Sequence, residues 1–383
     1  MDASHYVSSI FGQPITVGGR YPYVAFLPAP VPRSIELTAE STRRLGDAEA
    51  ALGRLAGVGR LLPDPDLLVT PYLRREALSS ARIEGTQATL VEVLNAEVSE
   101  DVLNPDLEEV VNYILAMRTG LERLETLPLS NRLLREIHGE LLRGVRGRER
   151  SPGDFRTTQN WIGGSNATVM SATFVPPPPF EMGALLTDLE LFLHESSDLP
   201  VLVRIALAHY QFETIHPFLD GNGRLGRLLI VFYLVWCGRI PAPLLYLSPF
   251  LESNRQDYYA ALQTVRETGN FNPWLNMLLE GIETQATDAL LRAERLMDLR
   301  ESYRKSVREL TRGAANEAIE LVFRQPIINS TIVERSLSIS RPSALSALRQ
   351  LEEAGLLSQM AESGPHGQLK WYSPQILEVL SDD

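Results

Sequence analysis

Twelve consecutive residues, His216 to Arg227, gather the side chains of this 383-residue chain that could do chemistry on a phosphate. Gly221-Asn-Gly223 offers backbone that can take positive φ and leave several N–H groups facing outward, just where the helical run Arg224-Leu-Gly-Arg-Leu-Leu-Ile-Val begins. Such a nest binds phosphate. Arg224 and Arg227 are three residues apart, so both guanidinium groups reach from one helical face to clamp the remaining oxygens. Asp220, next to the nest, would be repelled by phosphate alone and instead suits a Mg²⁺ ion, which keeps several waters and bridges phosphate oxygens. His216 stands four residues earlier, and Pro217 fixes the backbone after it. With an ordinary pKa near ~6.5, its neutral imidazole can accept a proton from an attacking hydroxyl. In-line attack on a phosphate needs these parts: base, metal ligand, anion cradle and cationic clamp. Singly each has a bland explanation, since a His at a helix boundary is commonly structural and Gly-Asn-Gly is commonly a turn. Nine specified residues within twelve positions are a stronger signal.

The elements that must position them are mostly helical. Apolar residues recur at helical spacing from Thr38 to Leu55, a second helix is expected from Pro71 to about Ser80, and helical patterns dominate from Leu107 to about Leu299. The segment Asp154 to Pro179 interrupts them and reads as a β-hairpin, with strands around Trp161 to Asn166 and Val169 to Val175 and a stiff exit through Pro176 to Pro179. Residues 1–33 carry Gly18-Gly19, Pro22, Pro28, Pro30 and Pro32, which break both periodicities and suggest an extended arm. Beyond a charged helix near Arg292 to Arg312, three short helices (Ala314 to Phe323, Thr331 to Leu337, Arg341 to Ala354) precede strands at Leu357 to Ala361 and Gln368 to Tyr372. The turn between those strands is Ser363-Gly-Pro-His-Gly367. That order is the order of a winged helix-turn-helix. The domains expected are therefore 1–100, 101–299 and 300–383.

Composition bounds the function. The lone Cys237 excludes an internal disulfide and a cysteine-built metal site, and a reducing compartment fits it best. The longest apolar run, Leu228 to Cys237, is far short of the ~20 residues that span a bilayer, and the N-terminus lacks a basic stretch followed by an apolar one, so a cytoplasmic protein is expected. A net charge of -12 speaks against a chain given over to non-specific nucleic-acid binding. Residues 300–383 hold ten basic and eleven acidic side chains, which weights protein contact or dimerisation over DNA binding for the C-terminal unit.

The run His-Pro-Phe-x-Asp-Gly-Asn-Gly-Arg-x-x-Arg resembles the Fic family signature at every fixed position, and the resemblance extends over most of the chain. It implies a mainly α fold: a helical Fic core with a β-hairpin flap, joined here to the winged helix-turn-helix. The implied activity is AMP transfer from ATP, with Mg²⁺, to a Ser, Thr or Tyr hydroxyl of a target protein, self-modification included. By the same resemblance His216 is the base and Asp220 the metal ligand, while Gly221, Asn222, Gly223, Arg224, Leu225, Gly226 and Arg227 hold the nucleotide. Phe155-Arg-Thr, Ile162-Gly and Ser171-Ala-Thr-Phe-Val-Pro-Pro177 look like the flap, placing Ser171, Ala172, Thr173 and Phe174 at the nucleotide and a target segment along the flap edge. Ser253-Asn-Arg-Gln-Asp-Tyr258, followed by Asn272-Pro-Trp274, is similar to the stretch after the signature, with Tyr258 against adenine.

Ser80-Ala-Arg-Ile-Glu84-Gly85 matches the family's inhibitory pattern, in which Glu84 would pair with Arg227 and deny it to the γ-phosphate. Residue types alone also allow an ordinary helix cap there. Two other functions stand beside AMP transfer: a DNA-binding regulator whose Fic module senses nucleotide, and an enzyme that removes AMP with the same site.

Overall fold

The computed structural model describes residues 1–61, 66–98, 104–145, 147, 149–164, 166–310, 313–360 and 369–381. A hairpin of β1 (Gly12–Val17) and β2 (Tyr23–Pro28) leads into α1 (Ala39–Leu61), α2 (Asp66–Ile83), α3 (Leu90–Ala96), α4 (Pro105–Leu124) and α5 (Asn131–Leu141). After a long irregular segment come α6 (Pro179–His194), α7 (Val201–Ile215), α8 (Asn222–Trp236), α9 (Ser248–Ser253), α10 (Arg255–Thr268) and the 39-residue α11 (Asn272–Leu310). The chain closes with α12 (Ala314–Arg324), β3 (Ile327–Asn329), α13 (Ser330–Leu337), α14 (Arg341–Glu353), β4 (Ser358–Gln359), β5 (Lys370–Tyr372) and α15 (Pro374–Ser381). No helix among the described residues is long and apolar enough to cross a membrane.

Helices α7 and α8 form the centre because they are apolar on nearly every side, which only burial satisfies. Trp274 of α11 locks onto α7, its indole N–H donating to the Ala206 carbonyl at 2.9 Å. Helix α4 comes close to α8 because Gly120 has no side chain: a Cβ there would lie 2.3 Å from the Phe232 ring. The packing that seats α8 therefore fixes the direction in which its N-terminus points.

Three expectations are corrected. Residues 1–33 are not simply an extended arm, because β1 and β2 pair in register from Gly12 opposite Pro28 to Val17 opposite Tyr23. Gly18 and Gly19, read as breakers, sit in the turn that lets the hairpin close. The expected hairpin within Asp154 to Pro179 is a single antiparallel bridge between Ile162 and Phe174. Phe26 donates its backbone N–H to the Val175 carbonyl at 2.9 Å, and Pro176 to Pro179 offer no donors, so the second strand cannot continue a ladder with the first. Helix α2 also starts at Asp66, so Pro71 lies inside the helix rather than at its start.

The C-terminal elements pack onto α2 and α3. Arg74 donates to the Arg324 carbonyl at 2.9 Å while its Nε pairs with Glu97, and Lys370 reaches Asn95 at 2.7 Å. Leu94, Val98 and Ile327 share one apolar cluster. β5 lies between β3 and β4, so a third strand joins the two expected, and α15 adds a helix. The expected turn Ser363 to Gly367 lies outside the described residues. α11 continues without a break across residue 300.

Gly120→Val is expected to destabilise the chain by about 1–3 kcal/mol through overpacking against Phe232, read by urea denaturation. Adding Phe232→Leu should recover part of the loss; an undiminished loss in the double variant would contradict the contact.

Candidate active site

His216 ends α7 in the left-handed region, with φ 50°, a conformation that costs energy for a side chain with a Cβ. Its surroundings hold it there. Its N–H donates to Phe212, and its carbonyl accepts from Arg156 Nε at 2.9 Å and Asn160 Nδ2 at 3.2 Å. Arg156 is buried with carbonyl partners only, adding Pro177 and Ile215, so it ties the bridge segment to the negative end of the α7 dipole. Burial drives the His216 pKa down to about 3, and Arg156 and Arg266 push the same way, so the imidazole is neutral at physiological pH.

The loop between α7 and α8 is closed by a reciprocal pair: Phe218 N–H donates to Asn222 Oδ1 and Asn222 Nδ2 donates to Phe218 O, each at 2.9 Å. His138 of α5 stacks on Phe218 with ring centroids 3.7 Å apart. Its Nδ1 accepts the Gly153 N–H at 2.8 Å, so Nε2 carries the proton and donates to the Asp220 carbonyl at 3.0 Å. Gly221 follows at φ 74° and α8 begins, presenting its first amides and the positive end of its dipole.

Charged side chains surround that helix start. Arg224, buried, lies 3.5 Å from Asp220 and 3.6 Å from Glu109. Arg227, also buried, donates Nε to Ser80 Oγ and Nη2 to both the Ser80 carbonyl and Glu84 Oε1, all at 2.9 Å. Glu84 stands just past the end of α2, where Gly85, at φ 101°, turns the chain away. A Cβ on Gly223 would lie 2.5 Å from Glu84 Oε1, so the carboxylate rests directly over the start of α8. Burial alone would raise the Glu84 pKa, but Arg227 overrides it and holds the carboxyl below its ordinary value.

Among the described residues no group of three or more His, Cys, Asp or Glu side chains forms a metal cage. Asp220 is a lone, partly exposed carboxylate beside the helix start, and a Cβ on Gly147 would come 2.9 Å from its Oδ2, so the space on that side depends on glycine. This fits a Mg²⁺ that shares phosphate oxygens and water.

The structure thus brings together His216, Asp220, Gly221, Asn222, Gly223, Arg224, Arg227, Ser80, Glu84 and Gly85. It does not bring all the expected residues to the same surface. Tyr258 is 1% exposed and its hydroxyl bonds His209 Nε2 at 2.9 Å, so it belongs to the core; the neighbouring Tyr259, 43% exposed, is the ring left at the surface. Leu225 is buried core, and Gly226 lies beneath the helix against His209 and Glu213. Ala172 and Phe174 turn into small apolar clusters with Ala25 and Phe26 of β2, whereas Ser171 and Thr173 stay exposed. Sequence reasoning missed Glu213, a buried carboxyl 3.9 Å from His216 Nδ1 and driven up to about 7 by burial. It also missed His138 and Glu109. Their sequence positions carry no motif; only the packing of α4, α5 and α7 against α8 reveals them.

Residues 42–122 match the N-terminal region of the Fic/DOC family, and residues 128–234 match the Fic/DOC family itself. The protein adenylyltransferase Fic of Drosophila grimshawi is 31% identical over 211 residues, covering 53% of this chain and 40% of that protein. The Drosophila virilis protein of the same name matches to the same extent. The chain spans about two fifths of the length of these curated relatives. Among solved structures, a Fic family protein from Desulfovibrio desulfuricans G20 shares the fold with TM-score 0.58 and 20% identity, over 88% of this chain and 97% of that one. Fic-1 from C. elegans aligns with TM-score 0.51 and 21% identity, over 67% of this chain and 73% of its own.

Because Glu84 binds its proton more weakly folded than unfolded, the stability its pairing adds is present above the unfolded carboxylate value and is lost as pH falls through the folded one. Glu84→Gln should therefore melt below the parent at neutral pH, and the gap should narrow as pH falls through and below the ordinary carboxylate range. A gap in melting temperature unchanged across that range would contradict the ion pair.

Proposed function

The chain belongs to the Fic/DOC family, and from that premise we propose that it transfers AMP from ATP to a hydroxyl of a protein and is held off at rest by Glu84. One observation carries the reading: the start of α8 gathers a neutral imidazole, a carboxylate and two buried arginines, and the Glu84 carboxylate already lies on Arg227.

In this reading the amides of Asn222, Gly223 and Arg224 receive the phosphates at the positive end of α8. Arg224 and Arg227 neutralise the charge carried by the leaving pyrophosphate. Asp220 would hold Mg²⁺, which when bound supplies charge compensation on the phosphate oxygens. His216 Nε2 takes the proton of the attacking hydroxyl while oxygen bonds to the α-phosphorus and the bond to pyrophosphate breaks. Glu84 competes with the γ-phosphate for one guanidinium, so ATP bound beside an occupied Arg227 lies in an unproductive pose.

A target segment would dock along the bridge segment, where Trp161, Ile162 and Met170 are large, apolar and exposed and Ile162 bonds Phe174 on one side only. The C-terminal elements from α12 to β5 read as a winged helix whose near-neutral charge suits protein contact, a second copy of the chain included, better than DNA.

Glu84→Gly should raise AMP transfer, seen as self-labelling from radiolabelled ATP and a mass gain of one AMP; no increase over the parent would remove the restraint assigned to Glu84. His216→Ala should abolish labelling in either background, and labelling that persists would remove His216 from the role of base.

A further inference from the structure

From the geometry around His216 we infer that Glu213 is a positioning residue for the transfer proposed above: its carboxylate selects the His216 tautomer with the proton on Nδ1 and supplies the counter-charge when Nε2 is protonated. The inference rests on that transfer reading and adds to it the group that makes His216 competent.

His216 has two unequal ring nitrogens. Nδ1 is buried, faces the Glu213 backbone carbonyl, and lies 3.9 Å from Glu213 Oε2, one helical turn back on α7. A base must keep its accepting nitrogen free of hydrogen, so a proton on Nδ1 leaves Nε2 as the acceptor. A carboxylate facing Nδ1 favours that tautomer.

Glu213 is hard to explain by packing. Its Oε1 is buried without a donor, a costly state for a carboxyl oxygen. Room for it exists only because position 226 is glycine: a Cβ there would lie 2.2 Å from Glu213 Oε1. The fold thus accommodates an unsatisfied acid beneath the signature helix.

The charge balance around His216 shows why an acid is needed. Arg156 from the bridge segment and Arg266 from α10 both disfavour the imidazolium. Arg266 is buried over the Phe174 ring at 3.9 Å, donates to Thr214 Oγ1, and reaches the Glu213 carbonyl at 3.4 Å. Glu213 itself faces His209 and His216 on its own helix, Arg227 from α8, Glu84 beyond α2, and Arg266 and Tyr258 on α10. His209 is settled as neutral, its Nδ1–H donating to the Gly226 carbonyl and its Nε2 accepting from Tyr258. Glu84 is committed to Arg227. Glu84 also favours the imidazolium from beyond α2, and Glu213 is the carboxylate placed 3.9 Å from Nδ1. Its pKa is raised to about 7 by burial, so it gains its charge as pH rises through the neutral range, and transfer should rise with it.

The target hydroxyl loses its proton to Nε2 as the new O–P bond forms and pyrophosphate departs. The imidazolium then carries one proton on each nitrogen, with Nδ1–H towards Glu213. Loss of the Nε2 proton to water resets the site.

The test places Glu213→Gln and Glu213→Asp in the Glu84→Gly background. It follows AMP transfer against pH, ADP affinity, and the ring-nitrogen NMR signals of His216 assigned with His216→Ala. Glu213→Gln should lower the rate on the order of 100-fold, the scale of general-base catalysis, with ADP affinity unchanged. It should abolish the acid limb near neutral pH, Glu213→Asp should recover part of the rate, and the Nδ1–H tautomer should lose its dominance. A Glu213→Gln variant with the parent rate and acid limb would overturn the inference. If Glu84→Gly itself transfers no AMP, the transfer reading fails separately. The spectrum still decides the pairing: a His216 tautomer unchanged by Glu213→Gln overturns it.

Discussion

Arg227 is a cation with 2% of its surface exposed, and a guanidinium removed from water must have anions or carbonyls around it. It finds three acceptors, all at the end of α2: the Ser80 hydroxyl, the Ser80 carbonyl and Glu84. Glu84 itself is solvent-exposed, but without it the buried Arg227 would lose its carboxylate partner. In the function proposed above, a phosphate at the amide-lined helix start takes the place of that carboxylate. One electrostatic requirement thus ties the end of α2 to the start of α8.

The rest of the structure is arranged around that pair. Gly223 has no side chain, so Glu84 can rest on α8, and Gly120 lets α4 support α8 from behind. The far side of α2 is anchored by Arg74 to Arg324 and Glu97, and by the apolar cluster of Leu94, Val98 and Ile327. The helix carrying Glu84 is therefore bounded by the active site on one side and the C-terminal elements on the other. His138, Asn222 and Arg156 fix the loop from His216 to Gly221, so that His216, Asp220 and the helix start keep one geometry.

Much of this was legible in the sequence where function compresses chemistry into adjacent residues. The run from His216 to Arg227 reads directly, and Glu84 could be matched to Arg227 because the inhibitory pattern is itself contiguous. What depends on three-dimensional register was not legible. Tyr258 and Tyr259 are adjacent on one helix, and only the position of His209 decides which ring is buried. Residues 1–33 looked like an arm because prolines and glycines mask strand alternation, and the β1–β2 pairing becomes visible only with both strands side by side. Glu213 lies inside an apolar helix, where a single acid resembles any other polar interruption; its meaning comes from the missing side chain at Gly226 and the nearby Nδ1 of His216.

The central claim is that Glu84 and the γ-phosphate compete for Arg227, and calorimetric titration of ATP and ADP against the parent and Glu84→Ala tests it most directly. The account predicts nearly equal affinities for the two nucleotides in the parent, and a preference for ATP of about tenfold or more in the variant, equivalent to about 1.4 kcal/mol regained by one freed guanidinium. An ATP-to-ADP affinity ratio that is the same in both proteins would contradict it.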